Sequence, residues 1–189
     1  MIKPYIDFET ERLHIRSVMK EDKEDFMALR IHNSDISSVY SEVSGFKDLE
    51  WESELNSEKD IYLSIFQKTD EVFVASASIQ AYEKTTIELG YDVSEAYRNR
   101  GYATEIIRGL GVEVHRKFPG ARVIIRIEKD NIASRKAAEK GGGILTQNED
   151  SLANQWFAKL KDLCNDETKN EIGELLEQGK DSVCVYEIP

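Results

Sequence analysis

Residues 87–110 read IELGYDVSEAYRNRGYATEIIRGL, and this stretch decides the fold. Its first seven residues alternate, with Ile87 and Leu89 on one side of an extended chain and Glu88, Gly90 and Asp92 on the other, the period of a strand. A short polar turn follows. From Tyr102 the spacing changes to that of a helix, with Ala103, Ile106, Ile107, Leu110 and Val114 on one face. Arg98-Asn99-Arg100-Gly101-Tyr102-Ala103 therefore falls at a helix start, where unpaired backbone amides and the positive end of the macrodipole form a natural phosphate cradle. Glycine at 101 and alanine at 103 let a ligand approach the backbone. The segment has neither the Gly-Lys-Ser/Thr ending of a nucleoside triphosphate loop nor the three glycines of a dinucleotide turn. By itself an R-x-x-G-x-A hexapeptide is equally an ordinary capped helix with charged flanks.

Working outward, Glu11–Val18 alternates as a first strand, and Glu21-Asp22 opens a helix whose Phe26, Leu29 and Arg30 give it an apolar stripe. Two short helical pieces are expected between Asp35 and Asn56. Ile61–Gln67, Val72–Gln80 and Thr86–Val93 read as an antiparallel meander turning at Lys68-Thr69-Asp70 and Glu83-Lys84. After the helix Tyr102–Lys117, ended by Pro119-Gly120, come a strand over Ala121–Glu128, a helix over Asn131–Lys140 stopped by Gly141-Gly142-Gly143, and a strand near Ile144–Gln147. Leu152, Trp156, Leu160 and Leu163, then Ile172, Leu175 and Leu176, predict a helical pair over 150–180 before a last strand, Ser182–Ile188. The result is an α/β chain in which a meander runs into β-α-β crossovers. It is expected to be one domain over 1–189, with its core at 10–147.

The chain has 189 residues, 25 basic and 36 acidic, for a net charge of −11. That balance disfavours broad binding to nucleic acid or to an anionic membrane. Residues 96–140 nevertheless hold eleven basic and five acidic side chains, a basic island suited to one anionic ligand. Residues 33–60 carry eight acids against Lys47 and Lys59. Two cysteines, Cys164 and Cys184, do not make a disulfide scaffold, and neither the opening residues nor any later run has the length or apolarity of a signal or a membrane span. A cytoplasmic location is expected. His14, His32 and His115 are isolated in sequence, no metal-ligand spacing occurs, and no Ser-His-Asp set can be assembled.

In combination the signals are more specific. The opening TERLHIRSV, the strand IELGYDV, the turn Arg98-x-x-Gly101-x-Ala103 followed by Thr104-Glu105, and Asp130-Asn131-x-x-Ser134 leading to Glu139-Lys140 span residues 10–147. In this order the chain resembles the GCN5-related N-acetyltransferase (GNAT) superfamily, and within it the ribosomal-protein alanine acetyltransferase branch. The resemblance implies a mixed, mostly antiparallel central sheet flanked by helices, splayed between the fourth and fifth predicted strands (86–93 and 121–128). It implies that the pantetheine arm of acetyl-CoA, used as co-substrate without a metal, runs between them beside Tyr91 and Val93. The amides of Arg100, Gly101, Tyr102 and Ala103 would hold the pyrophosphate, with Arg98 and Thr104 supporting the turn and Asn131 and Ser134 completing the cofactor side. Arg98, Arg100, Arg135 or Lys136 could offset the phosphate charge.

Three departures accompany the resemblance, one of them the helical pair over 150–180, which is not part of the minimal family pattern. The tyrosine that family members often carry on the second crossover helix, as acid for the departing thiolate, is Ala138 here; in the resembling branch a serine at the position of Ser134 lies near the thioester sulfur. The usual Leu-Gly-Phe after Glu-Lys is Gly141-Gly142-Gly143, which predicts a loose turn. An alkylamine with a pKa near 10 must lose a proton before it can attack a thioester. Glu88, on the central strand beside Gly90 and Asp92, is the leading candidate base, with Ser134 as candidate acid. The reading is an N-acetyltransferase acting on a primary amine, a protein N-terminus or a small cationic amine, by direct attack in a ternary complex. A non-catalytic acyl-CoA-binding or interaction module is the alternative, and the apolar stripe of 150–180 leaves a homodimer open.

Overall fold

The alternating segments are realised as one eight-stranded sheet. The computed structural model describes residues 3–33, 44–82, 84–149 and 183–189. Its strands are β1 (Asp7–Glu9), β2 (Leu13–Ser17), β3 (Ile61–Gln67), β4 (Val72–Gln80), β5 (Thr86–Val93), β6 (Arg122–Glu128), β7 (Ile144–Glu149) and β8 (Val183–Glu187). They lie in the order β1-β2-β3-β4-β5-β6-β8-β7, and every neighbouring pair is antiparallel except β5–β6. The meander has the predicted bounds. The edge strand β1 was not expected, because three residues are too few for alternation to register. Among the described residues only one parallel contact forms, since β8 inserts between β6 and β7 and separates the two strands that α4 connects.

Helices α3 (Tyr102–Lys117) and α4 (Ile132–Lys140) cover one face. There Ile106, Ile107, Leu110 and Val114 pack with Ile87, Leu89, Val123, Ile125, Ile127 and Tyr186 into the main core. Helices α1 (Lys23–His32) and α2 (Phe46–Leu55) cover the other face with a smaller cluster of Phe26, Met27 and Trp51, backed by Tyr62 and Phe73. Between them the floor of this face is small and polar: Ser64, Ser76 and Ser78 are buried, and a Cβ on Gly90 would lie 2.7 Å from the Ser78 hydroxyl. Of the two helical pieces expected between 35 and 56, the described residues hold α2. Residues 34–43, the predicted helical pair at 150–180 and Cys164 lie outside the described residues.

The triple glycine is tight, not loose. A Cβ at Gly141 would sit 2.9 Å from Ile107 Cγ2, and one at Gly143 would sit 2.9 Å from the Ala138 carbonyl oxygen. Gly142 has φ +103, in the left-handed region. The glycines bring the end of α4 against α3 in a space that larger side chains would fill.

Helix α1 is anchored through Asp22. Its carboxylate accepts two bonds from Arg16, both 2.7 Å, one from the Ser64 hydroxyl at 2.8 Å and one from the Met19 N–H at 2.9 Å. Burial pushes the carboxyl up, but the bonds from Arg16, Met19 and Ser64 outweigh it and hold the pKa below the ordinary aspartate value. Asp22→Asn leaves the Arg16 guanidinium uncompensated, and urea unfolding at pH 7 is expected to show a loss of about 3 kcal/mol. Because the folded-state pKa is depressed, this stabilisation is present above the unfolded value and lost as pH falls through the folded one. The gap between wild type and variant should narrow below roughly pH 4.

Candidate active site

Strands β5 and β6 pair at Thr86↔Arg122, Ile87↔Val123 and Glu88↔Ile124, and then part. Past that point β5 still follows β4 as far as Val93↔Ala75, and β6 still follows β8 as far as Glu128↔Val183. The two strands thus diverge while each stays bonded on its far side. Their facing edges, 89–93 and 125–128, expose backbone groups that a strand-like ligand can engage. Tyr91 and Val93 turn their side chains to the α3–α4 side, where both are partly buried. Glu88, Gly90 and Asp92 point to the α1–α2 side.

At the open end of the wedge the chain turns into α3. Asn99 has φ +61 and Gly101 φ +81, and the first helical bond runs from the Glu105 N–H to the Gly101 carbonyl at 3.1 Å. The N–H groups of Tyr102, Ala103 and Thr104 therefore precede the helical ladder. Arg98 is committed to the protein: Nε donates to the Val93 carbonyl at 3.1 Å and Nη2 to Asn33 Oδ1 at 2.8 Å. Asn33 in turn donates to Asp92 Oδ1 at 3.2 Å. Arg135 is also occupied, with Tyr186 Oη at 3.3 Å and the Lys129 carbonyl at 3.0 Å. Of the four cations named from sequence, Arg100, whose guanidinium lies 5.2 Å from the Tyr97 ring centre, and Lys136 are exposed and make no such bonds among the described residues.

Helix α4 supplies the opposite lip. Asn131 caps it, its side chain accepting the Ser134 N–H at 3.0 Å. The Tyr91 hydroxyl donates to the Ser134 carbonyl at 3.4 Å, and Thr104 Oγ1 to the Ala137 carbonyl at 3.5 Å, so β5, α3 and α4 meet at this point. Burial pushes the Tyr91 phenol up, which keeps it protonated at neutral pH. The Ser134 hydroxyl has no hydrogen bond among the described residues and is only partly buried.

The structure thus gathers Tyr91, Thr104, Asn131 and Ser134 beside the turn 98–103, and places Glu88 across the sheet from them. Glu88 is ion-paired with Arg126 of β6 on the α1–α2 face. That partner was invisible in sequence, because parallel register sets it and not periodicity. A second group was also missed. The Glu105 carboxylate accepts from Thr10 Oγ1 at 2.6 Å, the Arg12 N–H at 2.8 Å and Arg12 Nε at 2.7 Å, while Arg12 Nη1 donates to the Arg100 carbonyl at 2.9 Å. Its only sequence signal was that TERLHIRSV and Thr104-Glu105 both belong to the motif set. His14 meets Asp7, His115 Nε2 lies 2.9 Å from the Ile188 carbonyl, and His32, next to Asn33, meets Glu95. Cys184 is a buried free thiol on β8. Among the described residues no cluster of three His, Cys, Asp or Glu could hold a metal, and no helix is long and apolar enough to cross a membrane.

Comparisons with known proteins agree with this geometry. Residues 12–144 match the family model described as an acetyltransferase (GNAT) domain. A search of curated proteins returns no match. Among solved structures, a GNAT-family acetyltransferase from Bacillus anthracis is 19% identical, with a TM-score of 0.63, over 78% of this chain and 89% of the other. Spermidine N-acetyltransferase from Vibrio cholerae, in complex with CoA and spermine, is 12% identical with a TM-score of 0.61, over 75% and 86%. Ribosomal-protein-S5-alanine acetyltransferase from Vibrio fischeri is 15% identical with a TM-score of 0.59, over 78% and 87%. At such identities the structural likeness carries the fold alone, whereas the family match spans most of the chain, opens at Arg12 and takes in the strand wedge, the turn at Gly101 and both crossover helices. The chain therefore belongs to the GNAT acetyltransferases and is an N-acetyltransferase.

Proposed function

We propose that the protein transfers an acetyl group from acetyl-CoA to the primary amine of a cationic acceptor, by direct attack in a ternary complex. The observation that carries this reading is the parting of β5 from β6, with a left-handed turn and free helical amides at its mouth on one side and carboxylates on the other. The residues present fit CoA. The edges 89–93 and 125–128 offer backbone partners for an extended arm, Gly101 holds the left-handed φ that the turn needs, and the amides ahead of the α3 ladder suit a pyrophosphate. Tyr91, Val93, Arg98, Arg100, Gly101, Tyr102, Ala103, Thr104, Asn131 and Ser134 form the cofactor side. Arg98 acts by fixing the turn, while Arg100 and Lys136 are placed to offset phosphate charge.

Acetyl-CoA supplies an activated acyl group, and the protein supplies orientation and proton handling. A β5 amide serves as oxyanion donor on the thioester carbonyl. Glu88, ion-paired with Arg126, attracts the acceptor ammonium and takes its proton through an ordered water. Ser134, or water at its hydroxyl, protonates the departing thiolate, and Ala138 needs no counterpart. No metal enters this scheme.

We take residues 33–60, on the α1–α2 side where Glu88 lies, as the acceptor wall; it is acidic, although part of its charge is compensated. Asp48 pairs with Lys23 at 2.6 Å, and Glu50 and Glu54 share Arg30 at 3.6 and 3.1 Å. Burial, opposed by Arg30 and reinforced by Glu50, pushes Glu54 up to about 7. With Asp48 paired and Glu54 partly protonated, it is the excess of eight acids over Lys47 and Lys59 in residues 33–60 that suits this wall to cationic acceptors such as a basic protein N-terminus or a polyamine, and not to nucleic acid. We place this reaction in the cytoplasm, in a single domain over residues 1–189.

Acetyl-CoA consumption measured over a panel of amines tests the reading; turnover only with neutral or acidic amines, or with none, would overturn it. With the preferred acceptor KM should rise with salt as screening sets in over about 10 Å at 0.1 M. Gly101→Val must hold a β-branched residue at φ +81, a strain of about 1–2 kcal/mol, and should lose most CoA affinity by calorimetry in the presence of chelator while remaining folded. Glu88→Gln is expected to lower kcat at pH 7 by about 10²-fold. The deficit should shrink at high pH, where the acceptor is already neutral, and Ser134→Ala should have the smaller effect. Full activity of Glu88→Gln across the pH range would place the base elsewhere.

A further inference from the structure

The geometry points to Arg12 as the positioning residue of the turn 98–103, aiming its amides at a pyrophosphate and cancelling a carboxylate that would repel one. The inference rests on the assignment of that turn to CoA and adds a residue from the opposite end of the sheet.

Arg12 sits in the short connection between β1 and β2. Its Nη1 donates to the Arg100 carbonyl at 2.9 Å, and its guanidinium lies 4.6 Å from the centre of the Tyr102 ring, so it touches the residues on both sides of Gly101. In a trans peptide the C=O of one residue and the N–H of the next point in opposite directions. Fixing the Arg100 carbonyl on Arg12 therefore turns the Gly101 N–H away from the β1–β2 hairpin. The same guanidinium prevents the peptide from flipping, a motion open to a turn with φ +61 at Asn99 and +81 at Gly101. A Cβ on Gly101 would meet Arg12 Nη2 at 3.5 Å, so the arginine forms the back wall of the turn.

Charge gives the second part. Glu105 lies in the first turn of α3, where an anion is favoured by the helix dipole and competes with a bound phosphate for the same field. Burial pushes this carboxyl up, but the bonds from Thr10 and Arg12 outweigh it and hold it below its ordinary value, so it is ionised at neutral pH. Arg12 Nε and Nη2 both lie 2.7 Å from Glu105 Oε2. Arg12 thus spends its charge on Glu105 and contributes orientation, leaving exposed cations such as Arg100 to meet the phosphates. Lysine cannot reproduce this, because one ammonium lacks the planar fork that reaches a carboxylate and a carbonyl together.

The experiment is an amide NMR titration of wild type, Arg12→Ala and Arg12→Lys with three probes: inorganic pyrophosphate, which reads the turn, pantetheine, which reads the wedge, and CoA, which reads both. Arg12→Ala is expected to weaken pyrophosphate and CoA by about tenfold, with Arg12→Lys between it and wild type and pantetheine affinity unchanged in both. The Gly101 amide resonance should be displaced in the variants before any ligand is added. Unchanged pyrophosphate affinity in either folded variant, or an equal loss for pantetheine, would overturn the inference and leave Arg12 a structural tie; if Arg12→Ala does not fold, Arg12→Lys decides on the same criterion. A wild type whose 101–104 amides ignore pyrophosphate would instead refute the assignment of the turn itself.

Discussion

Three backbone pairs between β5 and β6 set the geometry of the site. A longer parallel ladder would close the sheet and leave no backbone edge for a ligand, while a shorter one would let the halves of the sheet separate. Parting after Glu88 and Ile124 works because each strand is secured on its outer side, β5 by six pairs to β4 and β6 by five to β8. The opening is therefore a fixed feature of the sheet, and its unpaired groups face a space that a ligand can fill.

The two faces of β5 then divide the chemistry. On the α3–α4 side apolar packing dominates, with Ile87 and Leu89 buried and Tyr91 reaching Ser134. On the α1–α2 side lie Glu88 with Arg126, Asp92 with Asn33, and a floor of buried serines. Because side chains alternate, one seven-residue stretch presents an apolar surface to α3 and α4 and a charged one to α1 and α2. Asn33 links the halves, since it holds both Asp92 and Arg98.

Much of this was legible in the sequence where periodicity controls structure. The strands 61–67, 72–80 and 86–93 and the helix 102–117 are long enough for a period of 2 or 3.6 to be read, and their bounds agree. The position of Gly101 at a helix start was equally plain. What escaped was set by tertiary contact. Arg126 meets Glu88 only through the parallel register, and Arg12 meets Glu105 across 93 residues. The short β1 lies below the length at which alternation registers, and the glycine triplet was misjudged because absence of side chains was taken for absence of contact, whereas Ile107 and the Ala138 carbonyl come close enough to use the space.

The place of β8 has a consequence for how the molecule comes to exist. The strand that secures the outer side of β6 is residues 183–187, separated from β7 by more than thirty residues of chain. During synthesis the meander, α3 and β6 leave the ribosome first, when β6 can hold only three pairs to β5 and its other edge is bare. The wedge acquires its fixed width once the final strand has slid between β6 and β7, a non-local pairing of the kind that folds late. The rigid outer wall of the wedge thus depends on residues 183–187, and a molecule lacking them would carry the turn 98–103 without that wall opposite it.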